Sequence, residues 1–260
     1  MKIAILAVLC VAHLGAQEFE VTSIRPSAPP TSRRIRVDFE GGPGTGDPTR
    51  FSCRNCSLAL LVMRAYEVEF NQIAGLDSRT ELYDIAAKIP DGATKEQFPV
   101  MLQKLLSRRF HVSLHRETKQ MQAYELVVGK SGPKMMESLG GEVSQEASSS
   151  GNTLDAEGFP VLAKGQSGYA SVNGRARMQV LQSTMDQLAG KLSNQLDTPV
   201  INATGLGGSY DYELHWDGTA DGTPSLFSAV ESQLGLRLQA KKAAVMMVVI
   251  DHVDRTPTAN

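Results

Sequence analysis

RMQVLQSTMDQLAGKLSNQLDTPVINATGLGGSYDYELHWDGTADGTPSLFSAVESQLGLRLQAKKAAVMMVVIDHV (177–253) reads as strand, helix, hairpin, helix, hairpin, and that order decides the fold. Its first strand spans 175–182; Asn173-Gly174 ahead of it suits a type I′ turn, whose two central residues need positive φ, so 168–172 is the partner strand. Ser183 or Thr184 offers a capping hydroxyl, and Met185, Leu188, Ala189, Leu192 and Leu196 then recur at helical spacing. Pro199 ends that helix, 199–201 starts a strand, and Thr204-Gly205-Leu206-Gly207-Gly208 is a tight turn. Tyr210, Tyr212, Leu214 and Trp216 alternate with Asp211, Glu213 and His215, the period of a half-buried strand. Leu226, Ala229, Val230 and Leu234 share one face of a second helix, closed by Gly235. Leu236, Leu238 and Ala240 alternate into a strand, Lys241-Lys242 is expected to bend, and 245–250 forms an apolar strand expected to be central and covered on both faces.

The same order is legible upstream. A short strand at 19–24 is closed by Pro26 and Pro29-Pro30; 34–39 and 50–54 alternate as strands around a glycine-rich connection at 41–46. Ser57 caps a helix striped by Leu58, Leu61, Val62, Ala65 and Tyr66. Ile73-Ala74-Gly75-Leu76 resembles the turn near 202–206, and 82–88 resembles 210–216. Phe98, Met101, Leu102, Leu105 and Leu106 stripe a second helix that starts near Pro99, since proline is tolerated only in a first turn. Phe110, Val112 and Leu114 form a strand, 116–120 a charged bend and 124–128 the return strand. The expected fold is α+β: two similar halves from an internal duplication, each a mixed or antiparallel sheet with two helices packed on one face. The first half takes 17–128 and the second 161–255, joined at 129–160 by a Gly-, Ser- and Glu-rich linker whose 146–151 has no apolar period.

Residues 1–16 carry Lys2, an apolar run from Ile3 to Ala12 and Gly15-Ala16, the pattern of a secretory signal peptide. The run is far shorter than the roughly 20 apolar residues a membrane span needs. Cys10 lacks the small residue expected just before a lipidated cysteine. No segment of the mature chain reads as transmembrane, so it is expected to be exported, periplasmic or extracellular. Losing Lys2 with the leader takes the formal net charge from −2 to −3, too small and too mixed to point to nucleic acid.

No motif for catalysis or for a cofactor stands out. Gly165-Gln166-Ser167-Gly168 is not a nucleophile elbow, and there is no H-E-x-x-H or glycine loop between strand and helix to cradle phosphate. His115, Arg116, Asp211, His215 and His252 are the candidate binding residues; His111 and His115 share one strand face, and Asp211 and Glu213 read as a solvated strand face. Scattered strand histidines are more often solvated than ligating, so no metal and no catalytic residue is assigned. Cys53 and Cys56 form a C-x-x-C ahead of a helix, where a lowered thiol pKa could support redox work. A local disulfide is the other functional reading of the pair; the plainer one is two core thiols, Cys53 inside the strand and Cys56 at the apolar position before the cap.

Several segments together resemble one family. They are FEVTSIRPS (19–27), RFSCRNCSLALLVMRAYEV (50–68), MLQKLLSRRFHVSLHRETKQMQAYELVV (101–128), GFPVL (158–162), TPVINATGLGGSYDYELHW (198–216) and SLFSAVESQLGLRLQAKKAAVMMVVIDHVDRTP (225–257). The chain resembles the soil-associated family of exported acidobacterial proteins that shares the domain of unknown function 3738. The resemblance implies export and, in some relatives, attachment to membrane sensor peptidases; it brings no activity. Cys53 and Cys56 stand where relatives usually carry small or apolar residues. Each half is also similar, more distantly, to the small modules at the N-termini of secretins and TonB-dependent receptors.

These readings give a non-enzymatic extracytoplasmic binding or interaction module without cofactor, its partner a protein, a peptide or an envelope component. The alternatives are an exported enzyme with a polar cleft between the halves and a structural part of an envelope assembly. N-terminal sequencing of protein recovered from its native host should find a mature chain beginning at Gln17 or within a few residues of it.

Overall fold

Among the described residues, each of the four α-helices ends at a left-handed residue: Glu67, His111, Asp197 and Gly235 in chain order. A computed structural model describes residues 18–29, 37–76, 81–140, 153–162, 165–217 and 225–258. The expected leader, half of the strand at 34–39 and the 146–151 stretch lie outside the described residues. In order, the elements are β1 (Val21–Pro26), β2 (Asp38–Gly41), β3 (Arg50–Ser57), α1 (Leu58–Tyr66), β4 (Ile73–Ala74), β5 (Leu82–Lys88), α2 (Gln97–Phe110) and β6 (Ser113–Val128). They continue with β7 (Met136–Glu137), β8 (Gly168–Val172), β9 (Arg175–Ser183), α3 (Met185–Leu196), β10 (Val200–Asn202), β11 (Tyr210–Asp217), α4 (Leu226–Leu234) and β12 (Leu236–His252). The class is α+β, with three sheets in the orders β1-β5-β3-β2, β10-β6-β12-β4 and β7-β11-β9-β8.

The described residues divide into two compact units, those within 18–68, 73–116 and 248–258, and those within 69–72 and 117–247. In the first, Leu58, Leu61, Val62 and Ala65 of α1 and Met101, Leu102, Leu105 and Leu106 of α2 share a core with Phe51, Tyr83 and Ile85. Ser57 caps α1 by accepting from the Leu60 N–H, and Pro99 sits in the first turn of α2. In the second, Met185, Leu188 and Leu192 of α3 and Ala229, Val230 and Leu234 of α4 share a core with Tyr212, Leu214 and Trp216. Thr184 caps α3 in a reciprocal box with Gln187, and left-handed Gly235 (φ 69°) ends α4. Asn173 (φ 51°) and Gly174 (φ 82°) make the expected turn between β8 and β9.

Two expected bends are absent. Residues 116–120 lie inside one strand, Ser113–Val128, and Lys241-Lys242 lie inside another, Leu236–His252. Neither charged run contains a Gly, Pro, Asn or Asp to favour a turn, and the two strands are neighbours in their sheet, so the ladder carries the charged residues through exposed. β12 is interior in its sheet as expected, but it is not covered on both faces throughout: Met246 is 47% exposed. Two short strands complete that sheet in parallel, β4 on Val248 and Val249 of β12 and β10 on Tyr124 to Leu126 of β6.

The two junctions at which a strand runs straight into a helix, β3 to α1 and β9 to α3, contain the same bulge. Arg54 and Asn55 together oppose Asp84, and Leu181 and Gln182 together oppose Asp211. Asn55 (φ 56°) and Gln182 (φ 52°) are left-handed, and each donates its N–H to the opposing aspartate, at 3.1 and 2.8 Å. Asp211 is therefore more than a solvated strand residue. Hydrogen bonds from the Ser27 hydroxyl and the Asn55 N–H hold the Asp84 carboxyl below the usual carboxylate range. A lowered folded-state pKa means that this stability is present above the unfolded value of about 3.9 and is lost as pH falls through the folded value. Asp84→Ala and Asp211→Ala should each lower unfolding free energy by about 1–2 kcal/mol in urea titrations. Asp84→Asn should in addition flatten the acid limb of stability against pH below about pH 4.

Candidate functional site

The polar residues singled out in the sequence fall in both units and form local pairs. In the first unit, His115 Nδ1 lies 2.9 Å from Asp251, and the Arg116 guanidinium stands 6.0 Å from the centre of the Tyr66 ring. His252 Nε2 lies 3.1 Å from Asp254, whose other oxygen is 2.7 Å from His111 Nδ1. The His111 hydrogen bond, with smaller contributions from His252, keeps the Asp254 carboxyl below its ordinary range. His111 does not share a strand face with His115 as expected; it is the left-handed residue (φ 48°) that ends α2. Cys53 and Cys56 are fully buried, their side chains meet, and their Cα atoms are 6.0 Å apart, within the span of a disulfide.

In the second unit, His215 Nε2 lies 2.9 Å from Glu213, and Asp211 holds the Gln182 N–H. Arg177 binds Asp155 at 2.5 Å and Glu157 at 2.8 Å, approaches Glu213 at 3.8 Å, and lies 4.6 Å from the centre of the buried Phe159 ring. The backbone N–H groups of Phe159 and Glu157, together with Arg177, hold the Asp155 carboxyl down. Burial pushes the Tyr212 phenol up to about 12, against a smaller opposing influence from the Ser183 hydroxyl. Nothing in the sequence singles out Arg177 or Phe159, although GFPVL carries the phenylalanine. Two of these His–carboxylate pairs do leave a sequence signal: Glu213 and His215, like His252 and Asp254, are two apart and share a face in an extended chain.

The outer edge of β11 is the least completed feature of this unit. β7 pairs only with Tyr210 and Asp211, and among the described residues no strand pairs with β11 beyond them on that side. The chain leaves β11 ahead of Met136 because the Lys134 N–H bonds the Leu234 carbonyl at 2.9 Å and its ammonium the Ser232 carbonyl at 2.8 Å. A groove of about 360 Å3 opens there, lined by Lys134, Met136, Asp211, Glu213, Gln233 and Leu234 among others. Beyond it the Gln233 amide satisfies the backbone of His215, accepting from its N–H at 2.9 Å and donating to its carbonyl at 2.7 Å. In the first unit the matching edge of β5 is filled: β1 pairs along its whole length from Tyr83 to Lys88.

Among the described residues, no group of three or more His, Cys, Asp or Glu is arranged to hold a metal ion, and no helix is long and apolar enough to cross a membrane. Arg177→Ala should cost about 1–3 kcal/mol in urea titration, because it strands two carboxylates and uncovers Phe159. His115→Ala and His252→Ala, whose pairs are half-exposed, should stay within about 0.5 kcal/mol of the parent protein.

The family model described as Protein of unknown function (DUF3738) matches residues 59–253. No curated protein and no solved structure matches the chain.

Proposed function

The chain belongs to the DUF3738 family, and from that premise we propose that it is an exported, non-enzymatic binding module that takes an extended segment of a partner protein, peptide or envelope component as an added strand. The observation that carries this reading is the edge of β11, paired at Tyr210 and Asp211 and then left to a side-chain amide. Unpaired edge groups are ready donors and acceptors for another chain. The candidate polar residues support it from the other side: Asp211 maintains a bulge, and His115, His215 and His252 each hold a neighbouring carboxylate.

Two further parts of the reading concern origin and compartment. The halves descend from a duplicated segment. Support comes from the two matching sheet orders, β1-β5-β3-β2 and β7-β11-β9-β8, and from bulges held by Asp84 and Asp211 two residues ahead of the caps Ser57 and Thr184. Within the family the chain is placed with the exported, soil-associated acidobacterial proteins that its segments resemble. The meeting of Cys53 and Cys56 is assigned as a structural disulfide, which suits an oxidising compartment outside the cytoplasm.

The test uses the mature chain. It should show no turnover on ester, peptide, glycoside or phosphoester panels, and it should retain a saturable partner from a native envelope fraction. Alkylation of the unfolded, unreduced protein should leave Cys53 and Cys56 unmodified. Turnover that is abolished by Asp211→Ala, His215→Ala or His252→Ala in a folded variant would overturn the binding reading.

A further inference from the structure

Resting on that reading, we propose that the edge of β11 from Tyr212 to His215 receives an antiparallel extended segment of a partner protein, with apolar residues opposite Tyr212 and Leu214 and a Lys or Arg opposite Glu213. Gln233 holds the place of that segment until it arrives.

The first unit shows what such an edge looks like when filled. There β1 lies antiparallel on β5, with Ile24 opposite Ile85 and Ser23 opposite Ala86, and the Glu20 N–H bonds the Lys88 carbonyl at 2.9 Å. Arg109, two residues before the left-handed end of α2, grips the far side of β1: its Nη1 donates to the Thr22 hydroxyl at 2.9 Å and to the Thr22 carbonyl at 3.4 Å. Gln233 stands two residues before the left-handed end of α4, but it reaches β11 itself. Where Arg109 touches a strand that touches β5, Gln233 touches β11 with nothing between. Its amide offers one acceptor and one donor to His215, the same two-point contact that a residue of an antiparallel neighbour makes.

The side chains at this edge define what the segment must carry. Tyr212, Leu214 and Trp216 are buried on the inner face, so residues opposite them meet apolar surroundings. Glu213 lies on the outer face, half-exposed, with Asp211 on the same strand face, so a cation opposite Glu213 gains an oppositely charged cross-strand neighbour. Lys134 also lines the groove, but its ammonium is engaged by the Ser232 carbonyl. His215 and Arg177 already face Glu213 at 2.9 and 3.8 Å, both at Oε1, and the incoming residue takes Oε2.

The probes are the synthetic peptide EVVKIS, patterned on β1 with lysine placed opposite Glu213, its charge-reversed form EVVEIS, and EVVKIS N-methylated on the backbone nitrogens that face β11. With the mature chain, EVVKIS should shift the backbone amide resonances of Tyr212 to His215, and EVVEIS should bind about tenfold more weakly. N-methylation should abolish binding, Gln233→Ala should tighten it several-fold, and Glu213→Lys should reverse the preference between the two peptides. Binding that survives N-methylation, shifts that avoid 212–215, or no binding to either the parent or Gln233→Ala would overturn the assignment. Capture of an envelope partner that persists in Glu213→Lys and under excess EVVKIS also overturns it, while leaving the module reading in place. Substrate turnover removed by one substitution sinks the module reading, and the peptide shifts then judge the edge alone.

Discussion

The junctions of β3 with α1 and of β9 with α3 each turn on one carboxylate. A bulge that places Asn55 or Gln182 in the left-handed region sets a non-glycine residue where few are found and turns its N–H out of the regular ladder. Asp84 and Asp211 accept those N–H groups from the neighbouring strand. The helix after each bulge depends on the register so set. The bulge sends Cys56 and Ser183 into the core, leaves Ser57 and Thr184 with the extended backbone an N-cap needs, and aims the stripes of α1 and α3 inward. Without the acceptor, a regular strand would put one residue fewer opposite each aspartate and turn every later side chain to the other face.

The sequence makes the local half of this visible and hides the rest. Caps, helical stripes and the Asn173-Gly174 turn depend on residues a few positions apart, and each forms where its residues predict it. The bulges depend on which residue lies across the sheet, so in the sequence Asp211 looks like one of several acidic residues on a wet strand face. The charged runs at 116–120 and 241–242 mislead for a related reason. Charge suggests a bend only when the chain has no neighbour to pair with, and here β6 and β12 are neighbours. The parallel additions of β4 and β10, of two and three residues, are too short to carry a period at all.

The candidate site divides in the same way. Pairing of Glu213 with His215 and of His252 with Asp254 follows from alternation within one strand, so the sequence contains it. Gln233 is different. It falls outside the apolar stripe of its helix, and its contact with His215 exists only because β7 begins at Met136 and the chain ahead of it closes α4 instead. A glutamine there signals nothing until the edge it faces is known to be open.

An open strand edge invites unwanted pairing, and an amide that satisfies it is one way to blunt it. On the proposed reading, that protection also sets the terms for a partner. An incoming strand must displace the two hydrogen bonds that Gln233 makes to His215, so at that residue it trades like for like. The net contribution of such exchanged bonds is small. Affinity must therefore come from the neighbouring positions, from apolar side chains set against the inner face at Tyr212 and Leu214 and a cation set against Glu213. The guard on the edge thus moves discrimination from backbone to side chains: extended chains of any sequence can form the ladder, but only those carrying the right alternation gain by entering it.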